Sequence, residues 1–275
     1  MPTPAWEALD AESKHVASML AAQETARTQL VFSHESAAVV LGIPIIGRLP
    51  EFPQVSAAPE YGRRTRHGIQ WHVATLDVDD IRNHGQITVT SPLRTIVDLL
   101  ACRPFVSGVA SLDHVLRELK VYGVTKQLVL DELQRRRPFR NVRRADAVTG
   151  FAEGISESVL ESMSMVLFDD MGYPRPEQQR EYRGLNGAKY AADFYFKDSD
   201  TIGEADGDVK YTDPKFLRGR TPKQALRDEK TREDELRAQC SNFVRWGWND
   251  AWDRTALARK LERAGVSRVG PARPS

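Results

Sequence analysis

The spacing of hydrophobic and polar residues predicts helices and strands in both halves of the chain. Residues 5–29 are rich in Ala and Glu without Gly or Pro, which is typical of a helix. Between 51 and 89 the pattern changes to short β-like runs, with strands predicted at QVSAA and IQWHVATL. Two further helices follow: one begins with Ser91 as N-cap and Pro92 at its first position, and the other ends at Gly123. The first half is therefore predicted to be a small α/β domain.

The second half has a different order of elements. A helix capped by Ser158, with Glu161 completing a capping box, is predicted to end near Met171. Strands follow at EQQREYRG, NGAKYAADFYF and TIGEADGDVKY, and the turn residues KDSD separate the last two. A charged helix from about 222 to 239, the strand SNFVRWGW and a last helix complete the pattern. The predicted class is α/β, a C-terminal mixed sheet flanked by helices and preceded by a smaller α/β domain.

Composition excludes several classes of protein. Of the 275 residues 41% are hydrophobic and 28% charged, which is ordinary for a globular chain and unlike a disordered one. No run approaches the roughly 18 apolar residues of a membrane span, so no membrane partner is expected. The N-terminal residues lack the apolar core of a signal peptide, and two cysteines cannot build a disulfide framework. A cytoplasmic location is the resulting expectation.

The net charge of +1, from 39 Lys and Arg against 38 Asp and Glu, neither favours nor excludes a nucleic-acid partner. Any contact with DNA would therefore use local patches of positive charge. The run RRRPFRNVRR places six arginines in ten positions, close before a domain boundary predicted near residue 150. It is either a solvated helix edge or interdomain connector, or a patch that contacts phosphates and gains affinity by releasing counterions. The second interpretation makes DNA-binding candidates of Arg135, Arg136 and Arg137. The predicted domains are 1–150 and 151–275.

The candidate chemistry lies around the hairpin predicted in DFYFKDSDTIGEAD. With KDSD as the turn, Tyr195 faces Ile202 and Asp193 faces Glu204. Opposed carboxylates lie roughly 4.5–5.5 Å apart at Cβ and repel each other. A divalent cation reverses that repulsion, since Mg²⁺ accepts one or two carboxylates plus waters. Asp206 points to the same strand face as Glu204. The alternative is a set of solvated turn residues, but apolar or small neighbours of the two carboxylates make an unpaired charge costly there.

Other motifs favour structural roles. An EF-hand is excluded because Ile202 and Val209 fall where the calcium loop needs oxygen ligands. His67 and His72 lack Cys or further His at zinc spacing. No GxxxxGK[ST] or GxGxxG motif supports nucleotide-driven chemistry. Trp246 and Trp248 are predicted to share one strand face and to pack in the core.

Residues from about 155 to 262 resemble the PD-(D/E)XK nuclease superfamily, in particular small domains similar to the very-short-patch-repair endonuclease. The residues that carry the resemblance are Glu157 in SESVLES, Gln178 and Gln179 in RPEQQ, Asp193 in YAADF, and Glu204 in GEADGDVKY. The segment EKTREDELRAQCSNFVRWGWND resembles the closing helix and strand of that group. The resemblance implies a central mixed sheet with helices on its faces, and cleavage of DNA phosphodiester bonds that depends on Mg²⁺ or Mn²⁺.

The resemblance also implies roles for individual residues. Asp193 and Glu204 would hold the metal, with the carbonyl of Ala205 as a third ligand. Glu157 is a candidate for a second metal or a water, and Lys210 for positioning the nucleophile. Gln178 is a further candidate for DNA binding.

The sequence departs from the superfamily at one position. The superfamily usually places Lys two residues after the Glu, where this chain has Asp206. One interpretation is that Lys210, the nearest lysine and one with the same strand parity as Glu204, substitutes for it. Otherwise Asp206 is either an extra metal ligand or the mark of a domain that binds DNA without cutting it. The preferred function is thus a DNA endonuclease, and the alternative is a non-catalytic regulator that binds DNA or a protein through a degenerate nuclease fold.

The first half resembles the core domain of the abortive-infection type IV antitoxin family, a group of transcriptional autoregulators. The motifs are VFSHESAAVVLGIP, RHGIQWHVATL and TSPLRTIVDLLA. This resemblance implies a cognate toxin or another protein as partner. Members usually begin with a winged helix-turn-helix, whereas only about 30 residues precede LVFSHES here, too few for that module.

Overall fold

The computed structural model describes residues 4–58, 65–185, 187–207 and 221–271. The chain divides into two compact units, Met1–Gly154 and Ile155–Ser275. Each unit combines helices with a mixed sheet, so the predicted α/β class is confirmed. Within the described ranges, no helix has both the length and the apolar character needed to cross a membrane.

The first unit is built on a six-stranded sheet in the order β3-β4-β2-β1-β6-β5. Strand β1 runs parallel to β6 and β2 runs parallel to β4, and the other neighbours are antiparallel. Both predicted strands in this half are present. The strand bounds are β1 Val31–Phe32, β2 Gln54–Ala57, β3 Thr65–Arg66, β4 Ile69–Val73, β5 Ile81–His84 and β6 Ile87–Thr90.

Helices of the first unit follow the predicted caps. The Ser91 side chain accepts a hydrogen bond from the Arg94 N–H, Pro92 opens the helix, and Gly123 adopts the left-handed conformation that ends α6. The long N-terminal helix is shorter than predicted, and the helix before Gly123 is divided at Glu118. The bounds are α1 Pro4–Glu7, α2 Ala11–Thr25, α3 His34–Leu41, α4 Pro92–Cys102, α5 Phe105–Arg117, α6 Leu119–Tyr122, α7 Lys126–Arg135 and α8 Val142–Phe151.

The arginine run lies inside the first unit, between α7 and α8, rather than in a connector between domains. Both helices pack against α4, and α8 also packs against α5. The connector interpretation is therefore wrong, since residues on both sides of the run belong to the same packed helical layer.

The second unit contains a four-stranded sheet in the order β10-β9-β8-β7. Strands β7, β8 and β9 form an antiparallel meander, and β10 pairs parallel to β9 after the chain passes through a helix. The strands are β7 Glu177–Arg183, β8 Lys189–Phe196, β9 Thr201–Ala205 and β10 Asn242–Trp246. The helices are α9 Val159–Asp170, α10 Pro222–Arg237, α11 Trp248–Trp252 and α12 Arg254–Arg263.

The hairpin between β8 and β9 has the predicted register. Tyr195 pairs with Ile202, and a short 3₁₀ turn at Lys197–Ser199 joins the strands. The turn is fixed because the carboxylate of Asp200 accepts hydrogen bonds from the Tyr195 hydroxyl and from the Ser241 N–H and hydroxyl. Asp200 is therefore a structural anchor of the turn.

Aromatic side chains fill the space between α9 and the sheet. Phe168 on α9 contacts Phe194, Phe196 and Trp246 edge to face. The indole N–H of Trp246 donates to Ser164 Oγ at 2.8 Å, which satisfies its polar atom in the core. Trp246 is thus a core residue as predicted, but the expectation that Trp248 shares its strand is wrong, because β10 ends at Trp246 and Trp248 begins α11.

Candidate active site

Asp193 and Glu204 lie on neighbouring strands in the register predicted for them. The pairs Phe194–Gly203 and Tyr195–Ile202, continued by one residue, place Asp193 opposite Glu204. The Ala205 N–H donates to Asp193 Oδ2 at 2.9 Å, which fixes the aspartate against β9. Glu204 is 3% exposed. The two carboxyl groups are consequently held close together, largely away from water.

A third carboxyl group, Glu161 of α9, is linked to Asp193 through the Gln179 side chain, which hydrogen-bonds to both. The Oε2 of Glu161 accepts hydrogen bonds from the Glu157 N–H at 2.8 Å and from Gln179 Nε2 at 3.0 Å. The side chain is buried, and burial together with the charge of Asp193 raises the pKa of Glu161 to about 7. Glu161 therefore belongs to the candidate site, whereas the sequence pattern predicts for it only a role in helix capping.

Gln179 lies opposite Asp193 across the β7–β8 pair, between the registered pairs of its two neighbours. Its backbone has a φ of +53°, a left-handed conformation that side chains other than Gly rarely adopt. Such a conformation persists only where the surroundings enforce it, and it is frequent at functional sites. Burial raises the pKa of Asp193, and the hydrogen bonds from Ala205 and Gln179 oppose that rise.

Arg232 on α10 supplies the positive charge next to the carboxyl groups. Its Nη2 donates to Glu204 Oε2 at 2.9 Å and to the carbonyl oxygen of Ala191 at 2.8 Å. Burial and the charge of Asp193 nevertheless raise the pKa of Glu204 to about 8. Glu161 and Glu204 therefore hold their protons to higher pH than ordinary glutamates do.

The fit of a divalent metal to this group is incomplete in the observed arrangement. Among the described residues, no three His, Cys, Asp or Glu side chains are placed together as a group that could hold a metal ion. Asp193 and Glu204 offer the two carboxylates that Mg²⁺ accepts together with waters. However, Glu204 already shares its oxygens with Arg232. A metal would fit the donor chemistry of Asp193 and Glu204 if it displaced that guanidinium.

Asp206, two residues after Glu204, forms its ion pair outside the candidate site. Asp206 forms an ion pair with Arg245, at 2.9 Å from its Nε, and Arg245 also contacts Glu229 and Glu233 of α10. Burial raises the pKa of Asp206. Asp206 thus belongs to an ion-pair network between β10 and α10. Lys210 lies outside the described residues, so its predicted role stays a prediction.

Glu157 and Gln178 lie at the edge of the site. The side chain of Glu157 is exposed, while its N–H holds Glu161. Gln178 Nε2 donates to Ser156 Oγ at 2.8 Å. Glu157 thus lies before α9, four residues ahead of Glu161, and Gln178 lies one strand position ahead of Gln179.

The three arginines proposed for DNA are each paired with acids of the first unit. Arg135 pairs with Glu132 and Asp77, Arg136 with Glu132 and Asp80, and Arg137 with Asp146. Glu132 and Asp80 are 8% and 6% exposed. A phosphate would have to compete with these carboxylates, so the cluster is not an open cationic surface.

Comparisons with known proteins identify no relative: no family model, no curated protein and no solved structure matches the chain. What the protein does must therefore be inferred from the geometry of its own residues. Among the site residues that the sequence analysis does not predict, Glu161 is marked by a feature of the sequence pattern. It lies on the same helical face as the buried Met165 and Phe168, where a charged residue is unusual.

Proposed function

We propose that the second unit is a nuclease domain that hydrolyses DNA phosphodiester bonds with Mg²⁺ or Mn²⁺. The observation that carries this proposal is the pairing of Asp193 with Glu204 across neighbouring strands, with Glu161 of α9 near enough to Asp193 for the aspartate charge to raise the pKa of Glu161. Buried like charges are costly in a purely structural role. Acids with strongly raised pKa values cluster at functional sites.

The order of elements also supports the proposal. Helix α9 with its glutamate is followed by a three-stranded meander, then by α10 and by β10 parallel to β9. The resemblance to PD-(D/E)XK nucleases implies the same succession of a helix, a strand aspartate, a hairpin, a strand glutamate, a helix and a strand.

Each residue of the group has a role that follows from its contacts. Asp193 and Glu204 would hold the metal, together with the carbonyl of Ala205 that the resemblance implies. Glu161, whose pKa lies near 7, is suited to accept a proton from the attacking water. Gln179 orients Glu161 through its side-chain amide. When bound, a divalent metal activates water and stabilises the charge that develops on the phosphate.

A second function, in a different class, is favoured by one specific observation. Arg232 already neutralises Glu204, and Asp206 is engaged by Arg245 where the superfamily usually has Lys. In this alternative the arginine replaces the metal permanently. The domain would then act as a regulator that binds DNA or a protein, such as a cognate toxin, without cleaving DNA.

Incubation of the full chain with supercoiled, linear and single-stranded DNA, with Mg²⁺, Mn²⁺ or EDTA, distinguishes the two functions. The nuclease proposal expects metal-dependent cleavage that Asp193→Asn and Glu204→Gln abolish. Asp198→Asn is the matched control, because Asp198 is an exposed carboxylate in the turn of the same hairpin. Binding of DNA without cleavage under all conditions would favour the regulator.

A further inference from the structure

A cavity of about 1050 Å³ lies within the first unit and takes no part in the nuclease proposal. It is lined by residues from α3, β4 and α4 and from the segment between α7 and α8, among them His34, His72, Arg94, Asp98, Arg140 and Arg144. Its volume is just above the range of about 300–1,000 Å³ that is typical of small-molecule sites. Three of the sequence motifs of the first half meet here, since SHES, QWHVAT and SPLRTIVD each contribute lining residues.

Cationic side chains dominate the wall of this cavity. Five arginines line it, and four carboxylates either line it or pair with those arginines, which leaves a charge of +1 before any histidine is protonated: Arg94, Arg135, Arg136, Arg140 and Arg144 against Asp77, Asp80, Asp98 and Glu132. The first three arginines are each held by carboxylates of the same unit. The two lining arginines that form no ion pair with a carboxylate of the described ranges, Arg140 and Arg144, therefore favour an anionic ligand.

Two of these arginines are available to a ligand. The Arg140 side chain makes no hydrogen bond or ion pair with any residue in the described ranges, and the Arg144 side chain donates only to the backbone oxygen of Arg103. Both side chains are exposed at the cavity. Guanidinium groups bind phosphate oxygens with two parallel hydrogen bonds. Each of the two side chains can therefore donate to a phosphate group that enters the cavity.

A stacked pair of histidines lines the same cavity. The rings of His34 and His72 lie 3.7 Å apart at an interplanar angle of 20°. His34 has a left-handed backbone with a φ of +52°, and its Nδ1 lies 2.9 Å from Ser33 Oγ. Strain of this kind at a non-Gly residue is a mark of functional sites. Trp71 and Phe139 also line the wall, so flat side chains accompany the arginines.

We propose that this cavity binds a mononucleotide, a ligand that joins a phosphate monoester to a planar base. Arg140 and Arg144 contact the phosphate, and the base packs against the flat side chains around His34 and His72. An inorganic anion would use only the arginines, and an uncharged aromatic ligand would use only the rings. A mononucleotide satisfies both parts of the wall.

Isothermal titration calorimetry on the full chain with AMP, GMP, CMP and UMP tests the proposal, with adenosine and inorganic phosphate as partial ligands. At least one nucleotide is expected to bind at least about tenfold more tightly than phosphate, and tenfold corresponds to about 1.4 kcal/mol. The double variant Arg140→Gln with Arg144→Gln should weaken that binding by a similar factor. Arg143→Gln is the matched control, since Arg143 is adjacent to Arg144 in α8, is exposed and does not line the cavity.

Three outcomes would overturn the proposal. The wild type could bind none of the four nucleotides. Phosphate or adenosine could bind as tightly as the best nucleotide, which would show that the phosphate or the base alone accounts for the binding. Arg143→Gln could weaken binding as much as the double variant, which would make the effect one of general charge. A thermal melt of each variant confirms that the loss of binding occurs in a folded protein.

Discussion

The N–H of Ala205 donates a hydrogen bond to Oδ2 of Asp193, so the backbone of one strand fixes the carboxylate of the next. The aspartate is held in place whether or not its second oxygen has a partner. An asparagine oxygen can accept the same hydrogen bond while carrying no charge. Position 193 therefore allows the charge of the group to be changed with little change in its shape.

Asp193→Asn should raise the melting temperature of the metal-free protein and remove most of its stabilisation by Mn²⁺ or Mg²⁺. The first effect follows because Asp193 repels both Glu161 and Glu204. The second follows because a ligand that binds only the native state stabilises it by RT ln(1 + [L]/Kd), about 2.7 kcal/mol at a hundredfold excess over Kd. Differential scanning calorimetry with and without metal measures both.

Asp198→Asn serves as the control, since it removes an exposed carboxylate from the adjoining turn. It should leave the metal response of the wild type intact. If the melting temperature of Asp193→Asn still rises with metal as the wild type does, the metal site lies elsewhere and the nuclease proposal fails.

Glu161→Gln should change the pH dependence of stability. The folded pKa of Glu161 is about 7 against an ordinary value of 4.5, so the folded state keeps a proton that the unfolded chain releases between these pH values. Stability therefore falls as pH rises from 4.5 towards 7. The variant lacks this group, so its free energy of unfolding should rise relative to that of the wild type by on the order of 2 kcal/mol across that range.

Urea unfolding at pH 5 and at pH 7.5 measures the gap between the two proteins. Glu157→Gln provides the comparison, because its side chain is exposed one turn away on the same segment. Parallel stability curves for the wild type and Glu161→Gln would show that Glu161 is ionised throughout, contrary to the burial argument.

The hairpin could be predicted in detail because residues close together in the sequence determine its turn and its register. Turn residues at KDSD set the loop, and the buried side chains of Phe194 and Phe196 alternate with outward ones, so a shift of one residue would expose them. The register of Asp193 with Glu204 follows from these two facts alone. The α/β class followed in the same way from the periods of the helices and strands.

The rest of the candidate site could not be predicted because it depends on contacts between distant parts of the chain. Glu157 directly precedes the N-cap of α9 and Glu161 lies in its first turn, and only the packing against the sheet shows which one is buried. Strand periodicity cannot reveal the left-handed backbone of Gln179, which distinguishes it from Gln178. The pairing of Arg232 with Glu204 joins residues 28 positions apart through a helix that periodicity cannot orient.

Arg136→Gln should destabilise the first unit by about 1–3 kcal/mol, because it removes a cation from two largely buried acids. Those acids are Glu132 and Asp80, which retain Arg135 and Arg94 as remaining partners. Arg137→Gln breaks only the exposed pair with Asp146 and should cost less than about 1 kcal/mol. Chemical denaturation of both variants measures the difference.

The same two variants test the DNA-binding interpretation of the arginine run. Each phosphate contact that is lost reduces the slope of log affinity against log salt by nearly one unit for duplex DNA. Because all three arginines are internally paired, we expect the slope to change little in either variant. A drop of about one unit in Arg137→Gln would instead assign that residue to the DNA.

Gly203→Ala should destabilise the second unit by about 1–3 kcal/mol through overpacking. A Cβ at this position would lie 2.8 and 2.9 Å from two carbons of the Trp246 ring. The ring cannot easily give way, since it is 1% exposed, stacks on Phe194 and donates its N–H to Ser164. Far-ultraviolet circular dichroism and tryptophan fluorescence during urea unfolding measure the loss.

Gly207→Ala is the matched control for this variant, because no described atom lies within 4 Å of the Cβ it would add. It should change stability by less than about 0.5 kcal/mol, as surface substitutions usually do. Since Gly203 directly precedes Glu204, a displaced Trp246 should also weaken any metal response of the protein. Equal stabilities for the two alanine variants would mean that Trp246 can move away from β9, and that its packing does not hold the strand that carries Glu204.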